Sequence, residues 1–203
     1  VQVHKQMYEN YNEQYPENAT ELPGYITNPG NVDTNWQDEV FRSGLAQNYM
    51  ISLRGGNEKA RYSVSYNHAD EKGVLLGNRF KQENARMKLS ASKNIFDLDA
   101  NLGFRATKNN QPQYSLKEVY MISPLVPVYD DTKEYGFGLS DGNGLPSNRN
   151  VLADNHYRKA VTNSYYMTAN ASVTANFTKW LNFRTSYSYQ GNHQRYKYHT
   201  PPY

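Results

Sequence analysis

Apolar and polar side chains alternate in six segments of this chain. In residues 60–67, Tyr62 and Val64 project to one side of an extended backbone, whereas Arg61 and Ser63 project to the other. A side-chain period of two residues predicts a β-strand whose two faces meet different surroundings. The same alternation defines the other predicted strands, at residues 48–54, 84–91, 97–107, 165–177 and 181–190.

The connections between these strands alternate between short and long. Residues 55–59 have the glycine and asparagine content of a hairpin turn, and residues 92–94 and 178–180 are similarly short turns. By contrast, about residues 70–83 separate the second strand from the third, and about residues 110–163 separate the fourth from the fifth. Strands of about ten residues with short turns at one end and long loops at the other are typical of an outer-membrane barrel wall.

This layout predicts an all-β fold, an antiparallel up-and-down meander that forms part of a transmembrane β-barrel wall with long outer loops. The polar face is too highly charged for a dry core, because each unpaired buried charge costs several kcal/mol. We therefore expect the apolar face to contact lipid and the polar face to line a hydrated lumen. Representative positions are Val64, Leu102 and Val173 for lipid and Arg61, Asn101 and Thr174 for the lumen. The alternative is a soluble, twisted sheet with one wet face.

Aromatic residues are abundant, and their placement is typical of a barrel. The chain has 19 tyrosines and 14% aromatic residues, which argues against disorder. Trp180 lies beside a short turn, and Tyr187 and Tyr189 lie toward the opposite end of the same predicted strand. We expect such residues to form aromatic girdles at the two membrane interfaces. Before the first strand, residues 4–14 predict either a short helix or a loop lined with tyrosines.

Composition narrows the class of protein further. The length of 203 residues suits one ordinary domain, and no run of about 18 apolar residues predicts a membrane helix. A mean hydropathy of -0.91 does not argue against a barrel, because its strands are only half apolar. A net charge of +3 with both signs interspersed predicts no nucleic-acid partner. The absence of cysteine excludes disulfides and thiolate metal sites, and the start at Val1 without a signal peptide predicts a piece of a longer protein.

Four segments carry a resemblance to a known family. Residues 33–44 (DTNWQDEVFRSG) resemble the motif that leads into an early barrel strand of the SusC/RagA-like, TonB-dependent transporters of the Bacteroidetes outer membrane. Residues 52–65 resemble the family's SGGNEKxRYSVS hairpin, and residues 84–89 resemble its xARxNL strand. Residues 123–130 (SPLVPVYD) resemble its NPLxPVYD segment. The four matches occur in the family's order, whereas the resemblance beyond residue 150 rests on strand pattern.

The resemblance implies a role in a nutrient importer of the cell outer membrane. It implies an outer loop region at residues 1–46 that leads into the barrel, and a barrel segment at residues 47–203 with the long loop at 110–163. The family's barrels have about 22 strands and a plug, whereas the sequence shows neither a plug nor a TonB-box, so we expect no transport by this segment alone. Implied partners are TonB, a SusD-like surface lipoprotein that lids the barrel, outer-membrane lipid, and a glycan or peptide substrate.

The sequence gives little support for a catalytic site or a metal site. The five histidines include no pair at the metal-binding spacing of four residues, so we expect no metal site, no cofactor and no enzymatic activity. Residues 130–134 and 141–144 offer oxygen ligands for calcium, but both lack the spacing and the closing glutamate of an EF-hand. Turn chemistry explains residues 141–144 without an ion. The histidines are His4, His68, His156, His193 and His199.

The long loop is the segment in which the sequence predicts function, because loops of this length are usually functional or disordered. Tyrosines beside polar residues can stack on sugar rings or peptide side chains while they form hydrogen bonds. The predicted ligand or partner contacts are Tyr114, Tyr120, Tyr129, Tyr135, Phe137, Tyr157 and Arg158, with His156 among them in the sequence. Residues 121–128 are more apolar and predict a packing segment. The alternative function is a soluble or surface-attached β-rich module that binds carbohydrate or protein.

Overall fold

The computed structural model describes residues 1–140, 144–145 and 149–202, which divide into two compact units. The first, which we call the sheet unit, comprises residues 43–111 and 159–199. The second, which we call the loop unit, comprises residues 1–42 and 112–158 together with the residues from Thr200 onward.

The sheet unit is one antiparallel sheet of six strands in which each strand pairs with the next along the chain. The strands are β1 (Leu45–Gly56), β2 (Ala60–Lys72), β3 (Arg79–Lys93), β4 (Phe96–Gln111), β5 (Lys159–Asn176) and β6 (Asn182–His199). Their order across the sheet is the order in the chain, because hairpin connections place consecutive strands side by side. The predicted all-β, up-and-down meander is confirmed.

Side chains of the predicted apolar face line up across the sheet in rows. Directly paired residues form one row, which comprises Leu53, Val64, Met87, Leu102, Ala169 and Tyr189. The next row toward the short turns comprises Gly55, Tyr62, Leu89, Ala100, Ala171 and Tyr187. A slip of one residue between two strands would move the apolar set of one of them to the other face. The observed register therefore keeps the apolar residues of all six strands together.

The strands extend beyond the predicted bounds, mainly at the end opposite the short turns. β2 and β3 are connected by residues 73–78 alone, so the predicted long connection at about residues 70–83 is wrong. Pairing between β2 and β3 continues into this region because polar side chains bond from one strand to the other. Arg79 Nε and Nη2 donate to the Asp70 carboxylate at 2.9 and 2.5 Å. Among the described strands, only β4 and β5 are joined by a long connection, residues 112–158.

The aromatic residues at the two strand ends differ partly from the prediction. Trp180 lies in the β5–β6 turn, but β6 continues to His199, so Tyr187 and Tyr189 lie near the middle of the strand and not toward its far end. The sequence pattern missed this because apolar alternation stops before the strand does. At the far end, Tyr49 stacks on His68 and Tyr165 stacks on His193, with ring centroids 6.3 and 6.4 Å apart.

The β1–β2 turn shows why residues 55–59 fold as a hairpin. Gly56 has a φ of +138°, and an added Cβ would lie 2.2 Å from the Ala60 carbonyl oxygen, so only glycine fits. The Asn57 side-chain oxygen accepts hydrogen bonds from the N–H groups of Lys59 and Ala60 at 2.8 and 2.9 Å. The turn therefore satisfies its own backbone donors without help from the rest of the protein.

The polar face of the sheet is hydrogen-bonded and indented. Ser90 donates to Asp99 at 2.8 Å, and Arg184 donates to Ser172 at 3.0 Å. These four residues, with Asn101 and others, line a cavity of about 410 Å³ on this face. The charges predicted to avoid a dry core thus lie on an open, polar surface.

The loop unit contains short helices. These are α1 (Gln2–Gln14), a 3₁₀ helix (Pro16–Asn18), α2 (Gly24–Thr27), α3 (Trp36–Val40), α4 (Leu116–Met121) and α5 (Val151–Tyr157). Of the two alternatives for residues 4–14, the structure shows the helix. No helix in the described part of the chain is long and apolar enough to cross a membrane.

Two distant segments of the loop unit are tied together by polar bonds around apolar side chains. Thr34 N donates to the Pro124 carbonyl and Thr34 Oγ1 to the Val126 carbonyl, both at 2.8 Å. Trp36 Nε1 donates to the Ser123 carbonyl at 3.0 Å. Trp36 and Val126 are buried, so residues 121–128 do form a packing segment, and its partner is the segment from Thr34.

We predict that Trp36→Phe destabilises the loop unit by about 1 to 3 kcal/mol, because the Ser123 carbonyl loses one of its two donors and the ring loses volume. Trp180→Phe is the matched control, because Trp36 is 4% exposed and Trp180 is 82% exposed. Hydrogen exchange at residues 123–126 should quicken only in the Trp36 variant. Equal exchange in both variants would contradict this anchoring role.

Candidate functional site

Five of the predicted loop residues form one aromatic cluster, which we define as Tyr129, Tyr135, Phe137, His156 and Tyr157. The Phe137 ring is central, with centroids 5.3 Å from Tyr129 and 5.8 Å from both His156 and Tyr157. Tyr135 packs edge-on against Tyr157 at 5.8 Å. The cluster thus joins residues 129–137 with residues 156–157 on a single surface of the loop unit. The sequence alone did not group these residues.

A tight hairpin presents three of these rings. Tyr129 and Phe137 face each other across an antiparallel bridge, and Gly138 N donates to the Val128 carbonyl at 3.2 Å. At its tip, the Asp130 carboxylate accepts the Thr132 hydroxyl at 2.6 Å and the Thr132 N–H at 3.0 Å. These hydrogen bonds to the charged form lower the pKa of Asp130. The Asp130 carboxylate is thus hydrogen-bonded within the turn, whereas the sequence analysis considered it as an oxygen ligand for calcium.

Asn150 joins this hairpin to α5 and was missed by sequence reasoning. Its side chain is 3% exposed, and its amide donates to the carbonyls of Val128 and Gly138 at 2.9 and 3.1 Å. Its side-chain oxygen accepts the N–H groups of Leu152 and Ala153 at 3.0 and 3.2 Å, which caps α5. The sequence signal was an asparagine directly before an apolar helical stretch, but nothing in it linked that cap to residues 128–138.

Arg158 forms an ion pair within the loop unit. Its Nε lies 3.2 Å from the carboxylate of Asp154, which is buried, and Arg149 approaches the same carboxylate at 3.7 Å. Because both guanidinium groups neutralise one buried charge, Arg158 stabilises the end of α5. Its predicted ligand contact would compete with that pair.

Tyr114 and Tyr120 lie apart from the aromatic cluster. Burial raises the pKa of Tyr114 to about 12, and the positive charge of Arg42 opposes this shift. Tyr120 is exposed on α4. The structure therefore brings together four of the seven predicted contact residues, which are Tyr129, Tyr135, Phe137 and Tyr157.

The cluster borders a cavity of about 430 Å³, a size within the range of small-ligand pockets. Tyr135, Phe137, Leu139 and Ala153 supply apolar wall, and Arg149 and Asn150 supply polar groups. Lys133 and Glu134 add charges of both signs. Such a cavity can hold an aliphatic or aromatic side chain or the face of a sugar ring, with a charged group at its edge.

No group of three or more potential ligands of the His, Cys, Asp and Glu types lies close enough for a metal among the residues that the structure describes. The candidate calcium turn at residues 141–144 falls outside those residues, except for Gly144.

Sequence comparison relates the chain to two curated proteins. It is 27% identical over 112 residues to the TonB-dependent receptor SusC of Bacteroides thetaiotaomicron, which covers 53% of this chain and 11% of that receptor. It is 29% identical over 72 residues to the TonB-dependent receptor P3 of Formosa agariphila, which covers 36% of this chain and 6% of that receptor. No protein-family model matches the chain.

Structural comparison relates the fold to a peptide importer. The chain matches the RagAB peptide importer in its closed-closed state with a TM-score of 0.63 and 16% identity. The match to the open-open state has a TM-score of 0.61 and 16% identity. Both cover 95% of this chain and 22% of the matched chain. At this identity the likeness establishes the fold, which is that of a part of the matched chain.

These comparisons confirm the resemblance predicted from the sequence. The chain is similar to a part of SusC/RagA-like TonB-dependent receptors, and its sheet matches a part of a β-barrel wall. The matched proteins are named as receptors and importers and not as enzymes, in agreement with the predicted absence of catalysis. The chain spans only a small fraction of each matched protein.

We predict that Asn150→Ala destabilises the loop unit by about 2 to 4 kcal/mol, because it removes a helix cap and the side-chain donor to the carbonyls of Val128 and Gly138. Asn35→Ala is the matched control, because Asn35 also caps a helix but is exposed, and it should cost about 1 kcal/mol. Thermal or denaturant unfolding followed by near-ultraviolet circular dichroism measures both. A smaller loss for Asn150→Ala than for Asn35→Ala would show that Asn150 does not hold the hairpin.

Proposed function

We propose that this chain, as a part of a SusC/RagA-like TonB-dependent receptor, forms a stretch of barrel wall and an outer loop that take part in the import of a glycan or peptide across the outer membrane. The observation that carries the proposal is the continuity of the apolar rows across six strands, next to a polar face that is charged and indented. Lipid on one side and water on the other is the environment that such a sheet needs.

Several further apolar rows support a lipid-facing surface. One comprises Ile51, Tyr66, Ala85, Phe104, Met167 and Gly191. Large apolar side chains of these rows, such as Ile51 and Phe104, are exposed in the sheet. A soluble module would have to leave this surface in water, and extended apolar surfaces of this kind mark contact with lipid or protein. The alternative of a soluble binding module is therefore disfavoured.

The connectivity of the strands supports an outer position for residues 112–158. The short turns at residues 57–59, 94–95 and 177–181 lie at one end of the strands, and residues 112–158 are inserted at the other end. In transmembrane barrels of bacteria the short turns face the periplasm and the longer loops face the exterior. We propose that residues 1–46 also belong to the outer loop region and that residues 47–203 provide the barrel segment.

The aromatic cluster and its cavity support a role in recognition. Tyr129 is 67% exposed and Tyr135 is 38% exposed, so both can contact a ligand, whereas Phe137 is 9% exposed and supports them from below. The partners that we propose are a peptide or glycan substrate and a SusD-like surface lipoprotein that closes over the barrel. TonB is a further proposed partner, which would act through the plug and TonB-box of such a receptor.

We predict that Val64, Leu102 and Val173 are accessible to a lipid-soluble quencher and that Arg61, Asn101 and Thr174 are accessible to a water-soluble one. Spin labels or fluorophores at these sites in the assembled receptor measure this. An arginine at Val64, in the middle of the apolar face, should destabilise the barrel by about 2 to 4 kcal/mol. Arginine at the control position Thr174 should cost much less. Accessibility of Val173 to the water-soluble quencher and of Thr174 to the lipid-soluble one would invert the assignment.

We also predict that replacing Tyr129 and Tyr135 by alanine weakens uptake or lid association, because aromatic anchors at hot spots each contribute about 2 kcal/mol or more. Phe137 is left intact, because its burial makes its loss a folding defect. Tyr120→Ala, which removes an exposed tyrosine outside the cluster, is the control. Uptake and lipoprotein pull-down by intact cells measure both effects. Unchanged uptake and association in the double variant would refute a contact role for the cluster.

A further inference from the structure

The apolar face of the sheet ends in a basic band at the strand ends opposite the short turns. Beyond the row of Tyr49, His68 and Tyr165, two rows carry the band. The first row comprises Gln47, Asp70, Lys81, Lys108, Asn163 and Arg195. The second comprises Leu45, Lys72, Arg79, Asn110, Val161 and Lys197. Six cationic side chains thus share this band with one carboxylate, that of Asp70.

The opposite face has no matching charge at the same strand ends. Its two corresponding rows contain no lysine or arginine and a single carboxylate, that of Glu71. These rows comprise Asn48, Ala69, Gln82, Thr107, Ser164 and Gln194, and Ala46, Glu71, Phe80, Asn109, Thr162 and Tyr196. General polarity of strand ends would place cations on both faces. The band is therefore a property of the face that we propose to contact lipid.

Like charges stand directly opposite each other within the band. Lys72 pairs in register with Arg79, and Lys81 pairs with Lys108. Directly opposed like charges destabilise a sheet unless an anion lies near them. The Asp70 carboxylate forms ion pairs with Arg79 at 2.5 Å and with Lys81 at 3.5 Å. The Glu83 carboxylate of the neighbouring row also lies near Lys81. Two carboxylates among four cations still leave an excess of positive charge on adjacent strands.

Two cations near the centre of the band have no internal partner. Lys72 and Lys108 are exposed and form no hydrogen bond or ion pair among the described residues. Adjacent strands lie about 4.8 Å apart, so lysines and arginines on β2, β3 and β4 can converge on one group of phosphate size. Arginine and lysine side chains are the usual protein donors to phosphate.

We propose that this band, centred on Lys72, Arg79, Lys81 and Lys108, binds the phosphate groups of anionic lipid headgroups in the outer leaflet of the outer membrane. The proposal rests on the proposed function, which places the apolar face in lipid and these strand ends on the outer side. The band is continuous with that apolar face, so a lipid whose chains contact Ile51 and Phe104 would hold its headgroup at the height of the cations. Basic groups at a membrane surface attract anionic lipids in this way.

The test uses the complete receptor purified in detergent and titrated with micelles that contain phosphorylated lipopolysaccharide. The double variant Lys72→Gln/Lys108→Gln should bind this lipid roughly 30-fold more weakly, since each surface cation contributes a factor of about five. Neither residue has an internal partner, so the barrel should fold, and its resistance to unfolding in sodium dodecyl sulfate checks this. The control Lys88→Gln/Lys179→Gln removes the same charge, from the polar face and from the β5–β6 turn, and should bind normally.

Separate probes identify the ligand. Dephosphorylated lipopolysaccharide should bind the unaltered receptor as weakly as phosphorylated lipid binds the double variant, and inorganic phosphate alone should not compete at millimolar concentration. Unchanged binding by the double variant, or equal binding of dephosphorylated lipid, would overturn the proposal. Loss of lipoprotein association without loss of lipid binding would assign the band to an acidic protein partner and would also overturn it. If labels at Val64 and Leu102 are in lipid while these lipid titrations fail, the proposed function stands and only the lipid site is wrong.

Discussion

The pairing register of the six strands is the constraint on which the sheet unit depends. Each strand is half apolar, so the apolar surface exists as a surface only while neighbours are paired without a slip. Short turns set this register locally, as Gly56 and Asn57 do between β1 and β2. Ion pairs such as Asp70 with Arg79 extend it past the apolar residues. In a membrane, closed pairing also satisfies every backbone group that lipid cannot.

The loop unit is held by a different kind of interaction. Its helices after α1 have seven residues or fewer, and directional hydrogen bonds from side chains join the segments that carry its buried apolar residues. Thr34 and Trp36 bind carbonyls about 90 positions later, and Asn150 binds carbonyls 12 and 22 positions earlier. These bonds make a defined surface from segments that would otherwise be long coil, and they present Tyr129 and Tyr135 on it. A backbone fixed in this way would favour the proposed recognition, because less ordering is needed when a ligand binds.

The two faces of the sheet carry their charged side chains at different positions along the strands. On the polar face, Arg184 and Asp99 lie nearer the short turns, where they line an indented surface. On the apolar face, the cations other than Lys93, which lies beside a short turn, occupy the strand ends beyond Tyr49 and Tyr165. An apolar band bordered by aromatic rings and then by cations follows the order of hydrocarbon, interface and headgroup in a bilayer leaflet.

The sequence by itself determined the meander, the side on which Val64 or Arg61 lies, and the hairpin at residues 55–59, because a two-residue period and turn chemistry are local properties of the chain. Four short segments also indicated the similarity to SusC/RagA-like receptors, and the loop composition marked its tyrosines as candidate contacts. Tertiary structure decided where the strands end, since polar pairs such as Asp70 with Arg79 continue a ladder that apolar alternation no longer signals. Tertiary structure alone brought Tyr129 near Tyr157, paired Arg158 with Asp154 and bonded Asn150 to the Val128 carbonyl. These contacts join residues that are distant in the chain, and no local sequence pattern encodes their proximity.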